Sequence, residues 1–334
     1  MASAADVDLD EVYSFALDLG KTAGKILDDG WRARCSGGGS NKTIEKDSAV
    51  DIVTQTDEGE LDLLDCLRLP KPCFAPERVE IINQMSRLSL NSKSTIAFRP
   101  ISEETYAKGS SKDYLIGDEP TWCVDPLDVK GEPVVGVINA PFLNQTFSAC
   151  RGKGAWLNNT QRLPLINNPI PPMPADAPKG CVFSCEWGKD RKDRPDGNLH
   201  RKIESFLNMA GEIGGRDGKG GMVHGVRSLG SATMDLAYVA LGASDIWWEG
   251  GCWEWDVAAG VCIVKEAGGL VTTANPPEDP LKAKIEEARL GSRLYLAIRP
   301  AGDSPSESAR EGQERTVREV WRRVRQLDYS RPGA

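Results

Sequence analysis

The segment Asp125-Pro126-Leu127-Asp128 carries two carboxylates three residues apart across a proline. Proline has a fixed φ and no amide hydrogen, so it favours a tight turn. Such a turn can aim both carboxylates and the Leu127 carbonyl at one point. Oxygen ligands of this kind suit Mg²⁺, which completes its shell with water and a phosphate. We therefore predict a metal site at this turn, with Glu103, Glu104 and Asp256 as candidates to complete a two-metal site.

Each of these residues also has a purely structural interpretation. An Asp-Pro turn is common on its own, and Asp256 occupies the position of a helix N-cap. Glu103 and Glu104 are typical of a solvated pair. The tryptophans near Asp256 favour core and rim packing over a sugar-binding platform. Catalysis by a nucleophile and histidine is disfavoured because His200 and His224 are the only histidines.

The composition limits the class of protein. The chain has 334 residues, 41 Lys+Arg against 49 Asp+Glu, a formal net charge of -8 and 40% hydrophobic residues. This composition is typical of a globular protein with a sizeable core. The negative charge disfavours nucleic acid and membrane as partners. Since the N-terminus lacks a signal-peptide pattern and the nine cysteines suit reduced thiols, we expect a cytoplasmic protein.

Hydrophobic periodicity predicts the elements that position these residues. A long amphipathic helix is expected from Leu9 to near Gly30. Further along, the pattern predicts an antiparallel hairpin region with strands over 133–138, 146–150 and 155–157. It also predicts two helices that end at glycines, over 233–241 and 257–267, with a strand over 246–249 between them. Asp256 is expected to cap the second of these helices. Residues 61–100 show neither helical nor strand periodicity, so no element is assigned there.

One domain is predicted over residues 1–300, followed by a tail over 301–334 with an amphipathic helix. Helical spacing supports that helix, because one face carries Val317, Val320, Trp321, Val324 and Leu327. Arg318, Arg322 and Arg325 lie on the other face. This arrangement favours a solvated surface over a docking patch for an acidic partner.

Six parts of the sequence resemble the successive signatures of the inositol monophosphatase family, in the family's order. They are 50–57, 102–105, 122–128, 151–156, 227–232, and 255–260 with 266–269. The Asp-Pro-Leu-Asp and Trp-Asp-Val-Ala-Ala-Gly blocks are specific when found together. The sequence is most similar to fungal inositol-1-monophosphatases, including those associated with quinate utilisation. The resemblance implies an α/β (α+β) fold, a layered αβαβα sandwich of the sugar-phosphatase type. It also implies a homodimer that hydrolyses a small phosphate monoester with Mg²⁺ and is inhibited by Li⁺.

The resemblance assigns roles to individual residues. The implied metal ligands are Glu103, Asp125, Asp128, Asp256 and the carbonyl of Leu127. The implied catalytic residues are Asp57, Glu103, Asp125 and Asp128, with Asp57 orienting the attacking water. The residues matched to those that hold the inositol hydroxyls are Gly230, Ser231, Ala232 and Glu249, and Asp256 joins this substrate-binding set.

The sequence departs from the family pattern in two places. The family follows the aspartate matching Asp128 with Gly-Thr and Asn-Phe, whose amides cradle the phosphate and whose threonine activates the water. Here Val129–Pro133 follows directly, so the loop and one strand of the first sheet, about 6 residues long, are expected to be missing. The second departure is the unpatterned segment 61–100, after which Ser102 stands where glycine is usual. A mis-assembled gene sequence, a splice isoform or a divergent inactive relative would each produce both departures.

We predict Mg²⁺-dependent hydrolysis of inositol monophosphate to inositol and phosphate, reduced or lost because the loop after Asp128 is absent. Two alternatives stay open. One is a catalytically inactive relative that acts as a binding or regulatory protein. The other is a phosphatase for another small phosphate monoester, such as a sugar, nucleotide or histidinol phosphate. Glu249 with Gly230–Ala232 favours a polyol, since a carboxylate and exposed amides suit vicinal hydroxyls.

Overall fold

The computed structural model describes residues 8–35, 43–45, 52–54, 99–101, 120–123, 127–129, 132–166, 168–188 and 190–330. The helices in these ranges are α1 (Leu9–Cys35), α2 (Asn198–Ala210), α3 (Ala232–Leu241), α4 (Glu254–Ala267) and α5 (Ala309–Trp321). None of the described helices is both long enough and apolar enough to span a bilayer.

The described strands form four sheets. A two-stranded sheet pairs β1 (Thr43–Glu45) with β2 (Ile52–Thr54), and a three-stranded sheet contains β3 (Arg99–Ile101), β4 (Pro120–Cys123) and β5 (Leu127–Val129). An antiparallel sheet has the order β6 (Val135–Ala140), β7 (Gln145–Cys150), β8 (Gly154–Leu157) and β9 (Gln161–Arg162). A mixed sheet has the order β11 (Gly225–Arg227), β10 (Val182–Ser184), β12 (Ile246–Gly250), β14 (Leu294–Ile298) and β13 (Leu270–Thr272).

Alternation along β6 assigns its two faces to two different layers. Val135 is buried with Val12 and Phe15 of α1, whereas Ile138 is buried with residues of α3 and α4. Successive side chains of a strand point to opposite faces. The antiparallel sheet therefore lies between α1 on one side and the α3–α4 pair on the other.

The mixed sheet is covered on both faces in the same way. Trp247 and Tyr295 pack with α3 and α4. Their neighbours Trp248 and Leu296 pack with Val317 of α5. Met209 of α2 joins that outer cluster. The layers are thus α1, the antiparallel sheet, α3 with α4, the mixed sheet, and α2 with α5, which confirms the predicted αβαβα sandwich.

Small residues let α4 sit close to its neighbours in the central layer. A Cβ on Gly136 of β6 would lie 2.5 Å from the carbonyl oxygen of Ala259 in α4. A Cβ on Gly260 would lie 2.6 Å from Leu236 of α3. Both distances are shorter than van der Waals contact allows, so glycine at these two positions is what permits the observed helix–sheet and helix–helix separations.

The structure confirms most of the predicted elements and corrects several boundaries. The hairpin strands pair antiparallel as expected. Gly242 and Gly268 follow the last residues of α3 and α4, as predicted. The first helix, however, continues past Gly30 to Cys35, because one glycine costs a helix only about 1 kcal/mol. The prediction that Asp256 is an N-cap is wrong, since α4 begins at Glu254 and Trp253 is its N-cap residue.

The arginine face of the last helix is also corrected. The helix α5 ends at Trp321, so two of the three arginines lie beyond it. All three are partly exposed and ion-paired, Arg318 with Glu314, Arg322 with Glu319, and Arg325 with Asp196 and Glu204. The apolar face meanwhile packs in the outer cluster through Val317, Val320, Trp321, Val324 and Leu327.

The packing of α4 yields a first prediction. Gly136→Ala should lower the free energy of unfolding by about 1–3 kcal/mol, because the new methyl group meets the backbone of Ala259 and cannot be accommodated without a shift. Urea or guanidinium denaturation followed by circular dichroism measures this loss.

Gly312→Ala is the matched control. The same methyl group in α5 would lie 3.0 Å from the carboxylate end of Glu307, a side chain that also binds Arg315. A small shift of this side chain costs less than a shift of backbone, and alanine favours the helix. This variant should therefore lose clearly less stability than Gly136→Ala. Equal stability of Gly136→Ala and the wild type would contradict the proposed packing constraint.

Candidate active site

Asp256 lies in the first turn of α4, at the third helical position. Its Oδ2 accepts a hydrogen bond of 2.7 Å from the Trp253 amide. A carboxylate at this end of a helix is stabilised by the helix dipole. The hydroxyl of Thr233 in α3 donates a 2.9 Å hydrogen bond to the Asp256 carbonyl oxygen. These contacts hold the Asp256 carboxylate at the N-terminus of α4 and tie that terminus to the start of α3.

The helix that carries Asp256 also packs against β4 and β5. Leu127 and Asp128 belong to β5, so the structure brings the backbone of that strand beside α4. Asp57, Glu103 and Asp125 lie outside the described residues, and their roles stay predictions. Within the described ranges, no three or more His, Cys, Asp or Glu side chains are grouped as metal ligands.

Three neighbouring strands of the mixed sheet end on the same side. β10 is parallel to both β11 and β12. Glu186 follows β10, Ser228 follows β11, and Glu249 lies near the end of β12. In sheets of this kind, ligands bind at the carboxyl ends of parallel strands. This edge is therefore the natural place for a substrate.

Glu249 is held by protein groups at this edge. The residue is only 1% exposed, and its Oε2 accepts a 2.8 Å hydrogen bond from the Glu186 amide. Its Oε1 accepts a 2.8 Å hydrogen bond from the Gly250 amide and an ion-paired hydrogen bond from Lys202 of α2, which is 4% exposed. Burial raises the pKa of Glu249, and the Lys202 ammonium opposes that rise. Two buried charges of opposite sign are stable only when paired and hydrogen-bonded in this way.

Glu186 was not among the residues singled out from the sequence. Its Oε1 accepts hydrogen bonds from the amides of Leu229, at 2.6 Å, and Gly230, at 2.9 Å. Its Oε2 accepts a 2.7 Å hydrogen bond from the Ser228 hydroxyl. The amide of Gly230 is therefore bound to a protein carboxylate. The sequence signal that could have identified Glu186 is its position directly after a strand, β10, which is parallel to both of its neighbours.

The turn that Glu186 holds leads directly into α3. Ser231 is the N-cap of that helix, and its side chain accepts a hydrogen bond from the Met234 amide. Ala232 is the first residue of α3. The first amides of a helix have no acceptor within the helix. The segment 230–232 thus combines a fixed turn with a helix N-terminus at the edge where Glu249 lies.

Asp235 is a buried carboxyl group behind this edge. It is 0% exposed on α3. Burial, followed by the charges of Glu186 and Glu249, raises the pKa of Asp235 to about 9. The side chain is therefore protonated at neutral pH, which avoids a further negative charge beside Glu249 and Glu186.

The layered sandwich, with carboxylates gathered at strand ends and at the N-terminus of α4, defines a fold of the sugar-phosphatase type. The family model described as the inositol monophosphatase family matches residues 129–325, and the chain belongs to this family. It is 56% identical to the "Quinic acid degradation cluster protein x" of Neurospora crassa, over 98% of this chain and 97% of that protein. It is 36% identical to "Inositol monophosphatase 2" of Saccharomyces cerevisiae, over 70% of this chain and 77% of the yeast protein.

Solved structures support the same fold. The inositol monophosphatase from Anabaena superposes with a TM-score of 0.56 at 20% sequence identity, covering 95% of this chain and 96% of that chain. The family model begins at Val129, immediately after Asp128. The alignment with the Neurospora protein spans 357 positions, more than the 334 residues of the chain, so it contains positions that this chain lacks.

The raised pKa of Asp235 yields a second prediction. Between the pKa of an unfolded aspartate, about 4, and the folded value of about 9, the folded protein holds a proton that the unfolded chain has released. Stability therefore falls as pH rises through this window, by up to about 1.4 kcal/mol per pH unit. Asp235→Asn removes this dependence, so the stability of the variant relative to the wild type should increase from pH 5 to pH 8.

Denaturant unfolding at several pH values measures this difference. Asp279→Asn changes an exposed aspartate and should keep the pH dependence of the wild type. Parallel stability curves for Asp235→Asn and the wild type would show that Asp235 is ionised in the folded protein.

Proposed function

We propose that this chain hydrolyses inositol monophosphate to inositol and phosphate with Mg²⁺, as a phosphoric monoester hydrolase. Membership of the family and the fold support a phosphatase. The observation that carries the proposal is the adjacency of two of its signatures. The helix α4, with Asp256 in its first turn, packs against β5 with Leu127 and Asp128, and it begins at Glu254, shortly after the end of β12, which carries Glu249.

The donor groups present fit Mg²⁺. Asp256 offers a carboxylate at the start of α4, and the residues proposed with it are carboxylates and the Leu127 carbonyl. A set made only of oxygen atoms is what hard divalent cations prefer. Bound there, Mg²⁺ supplies Lewis-acid chemistry that lowers the pKa of water and neutralises the phosphate.

The residues of the chain would then divide the remaining tasks. Asp256 is held in place by the Trp253 amide, so it needs little reorganisation on binding. Asp57 would accept a hydrogen bond from the attacking water and orient it. The segment Gly230–Ala232 and the region around Glu249 would bind the polyol hydroxyls, at the end of the substrate away from the phosphate.

An inactive relative is the second candidate. In the structure β5 ends at Val129 and β6 begins at Val135, so the chain joins them without a Gly-Thr segment. Without the threonine hydroxyl, the attacking water would lose part of its activation. Without the loop amides, the negative charge on the phosphate would lose part of its stabilisation, and each of these contributions is a large part of the rate of a phosphatase. A binding or regulatory role would then remain. The Neurospora relative is named for quinic acid degradation, so quinate degradation is the first setting in which to look for such a role.

A homodimer located in the cytoplasm is also proposed, on the family resemblance and the composition alone. A phosphatase for another small phosphate monoester remains a third alternative. Glu249 lies at the same strand edge as the segment Gly230–Ala232, and this favours a polyol over an apolar alcohol, because a carboxylate and the amides at a helix N-terminus suit vicinal hydroxyls.

The proposal predicts measurable phosphate release. With Mg²⁺ and inositol 1-phosphate, the wild type should release phosphate at a low rate that Li⁺ reduces. Asp256→Asn should lower this rate by about 100-fold or more, because an amide binds a hard cation poorly. A colorimetric phosphate assay on the purified, folded proteins measures both.

Asp303→Asn is the control. Asp303 also binds a helix amide, with its Oδ1 accepting from Ala309 at the start of α5, but it lies in the outer layer. This variant should keep the wild-type rate. No phosphate release above background from the folded wild type would favour the inactive relative, and full activity of Asp256→Asn would refute the metal assignment.

A further inference from the structure

Glu186 contacts both of the segments proposed to hold the polyol. Its amide donates to Glu249 Oε2, and its carboxylate accepts the two amides and one hydroxyl of the turn Ser228–Gly230. Its carbonyl oxygen accepts a 2.9 Å hydrogen bond from Lys202. Every polar group of Glu186 is thus used in joining Glu249, Lys202 and the turn.

We propose that Glu186 is a positioning residue for the polyol part of the substrate. It acts by holding the turn Ser228–Gly230, and hence the start of α3, in the geometry that binds hydroxyl groups. This inference rests on the proposed function, because it concerns the substrate side of the same site. Glu186 lies outside the segments of the chain that resemble the family's signatures.

The turn needs such an anchor. Gly230 has a φ of 78°, and nothing lies within 4 Å of where a Cβ would stand, so no neighbouring group packs against it on that side. Glycine loses more conformational freedom on ordering than any other residue. Hydrogen bonds to a carboxylate are about twice as strong as those between neutral groups. Three of them from one carboxylate supply the missing constraint.

The turn is also accessible to a ligand. Leu229, whose amide binds Glu186, is 43% exposed, and Trp187, which follows Glu186, is 42% exposed. A turn at the surface that is released from its anchor samples several conformations, and a ligand must then select one of them. Apparent affinity falls by the fraction of molecules in the competent conformation.

Loss of the Glu186 anchor should therefore affect substrate binding and the chemical step differently. The reacting phosphate lies at the other end of the substrate, near the proposed carboxylate ligands. Loss of the anchor should raise KM about tenfold and change kcat by less than about twofold, since only the competent fraction changes.

Two substitutions of Glu186 distinguish the loss of the hydrogen-bond acceptor from the loss of its negative charge. Glu186→Ala leaves all three donors of the turn without their acceptor. Glu186→Gln keeps an Oε1 that can accept both amides, and the Ser228 hydroxyl can rotate to accept from the new amide group. Glu186→Gln should therefore stay within about threefold of wild type in KM, because the neutral acceptor is weaker but remains in place.

Glu266 provides a matched control elsewhere in the molecule. Its carboxylate accepts the amides of Gly152, at 3.0 Å, and Gly154, at 2.9 Å, so it also holds a glycine turn. It lies ten residues after Asp256 on α4, about 15 Å along the helix. Glu266→Ala should free its own turn and leave KM unchanged.

The experiment combines hydrogen exchange with kinetics on the wild type and these three variants. Mass spectrometry should show faster exchange of residues 228–232 in Glu186→Ala only, whatever the activity of the protein. Phosphate release from inositol 1-phosphate with Mg²⁺ should show the tenfold KM increase in the same variant, with rescue by Glu186→Gln. If Glu186→Ala does not fold, Glu186→Asp, whose shorter side chain cannot reach all three donors, takes its place.

The possible outcomes separate this inference from the proposed function. Unchanged exchange in the turn, an unchanged KM, or a Glu186→Gln variant as impaired as Glu186→Ala would overturn the inference. If the wild type releases no phosphate, the proposed function fails, and calorimetric binding of inositol 1-phosphate replaces KM. Tenfold weaker binding to Glu186→Ala then still supports the inference, and equal or absent binding overturns it.

Discussion

The position of α4 depends on the absence of side chains at two glycines. Gly136 lets the sheet approach Ala259, and Gly260 lets α3 approach through Leu236. α4 also contacts β5, β13 of the mixed sheet, the helix α3 and the antiparallel sheet. Because its N-terminus carries Asp256, the close packing of this one helix determines where the proposed metal carboxylate lies relative to the strand that carries Asp128. The small residues of the Trp-Asp-Val-Ala-Ala-Gly block are therefore explained by packing, and its aspartate is the residue proposed for the metal site.

A second constraint comes from the balance of charge behind the strand edge. Lys202 is the cation that pairs with buried Glu249, and Asp235 avoids adding a further charge by keeping its proton. Glu186 shares the region but directs its carboxylate to the amides and hydroxyl of the turn. Burying ionised groups is costly unless each has a partner, so the Glu249–Lys202 pair adds no net charge behind this strand edge. The same contacts fix the position of the edge, and a proposed binding site for several hydroxyls requires such rigidity.

Prediction from the sequence succeeded where the pattern is local. The helices α3 and α4 end at their predicted glycines, and alternation located the antiparallel strands. The start of α4 was misplaced because an aspartate is also a good residue for the first helical turn, and the sequence does not show that the Trp253 amide is its partner. Glu186 and Asp235 could not be recognised, since their roles depend on strands and helices that meet only in the fold. Asp57, Glu103 and Asp125 lie outside the described residues, and for them the family resemblance is the whole basis.

The central claim is that the N-terminus of α4 contributes to a divalent cation site. Electron paramagnetic resonance with Mn²⁺, a hard cation that accepts the same oxygen ligands, tests it without any need for turnover. The account predicts that the wild type binds Mn²⁺ in the presence of inorganic phosphate and that Asp256→Asn binds it at least about tenfold more weakly, since a direct ligand is lost. Equal Mn²⁺ affinity of the two folded proteins would contradict the account.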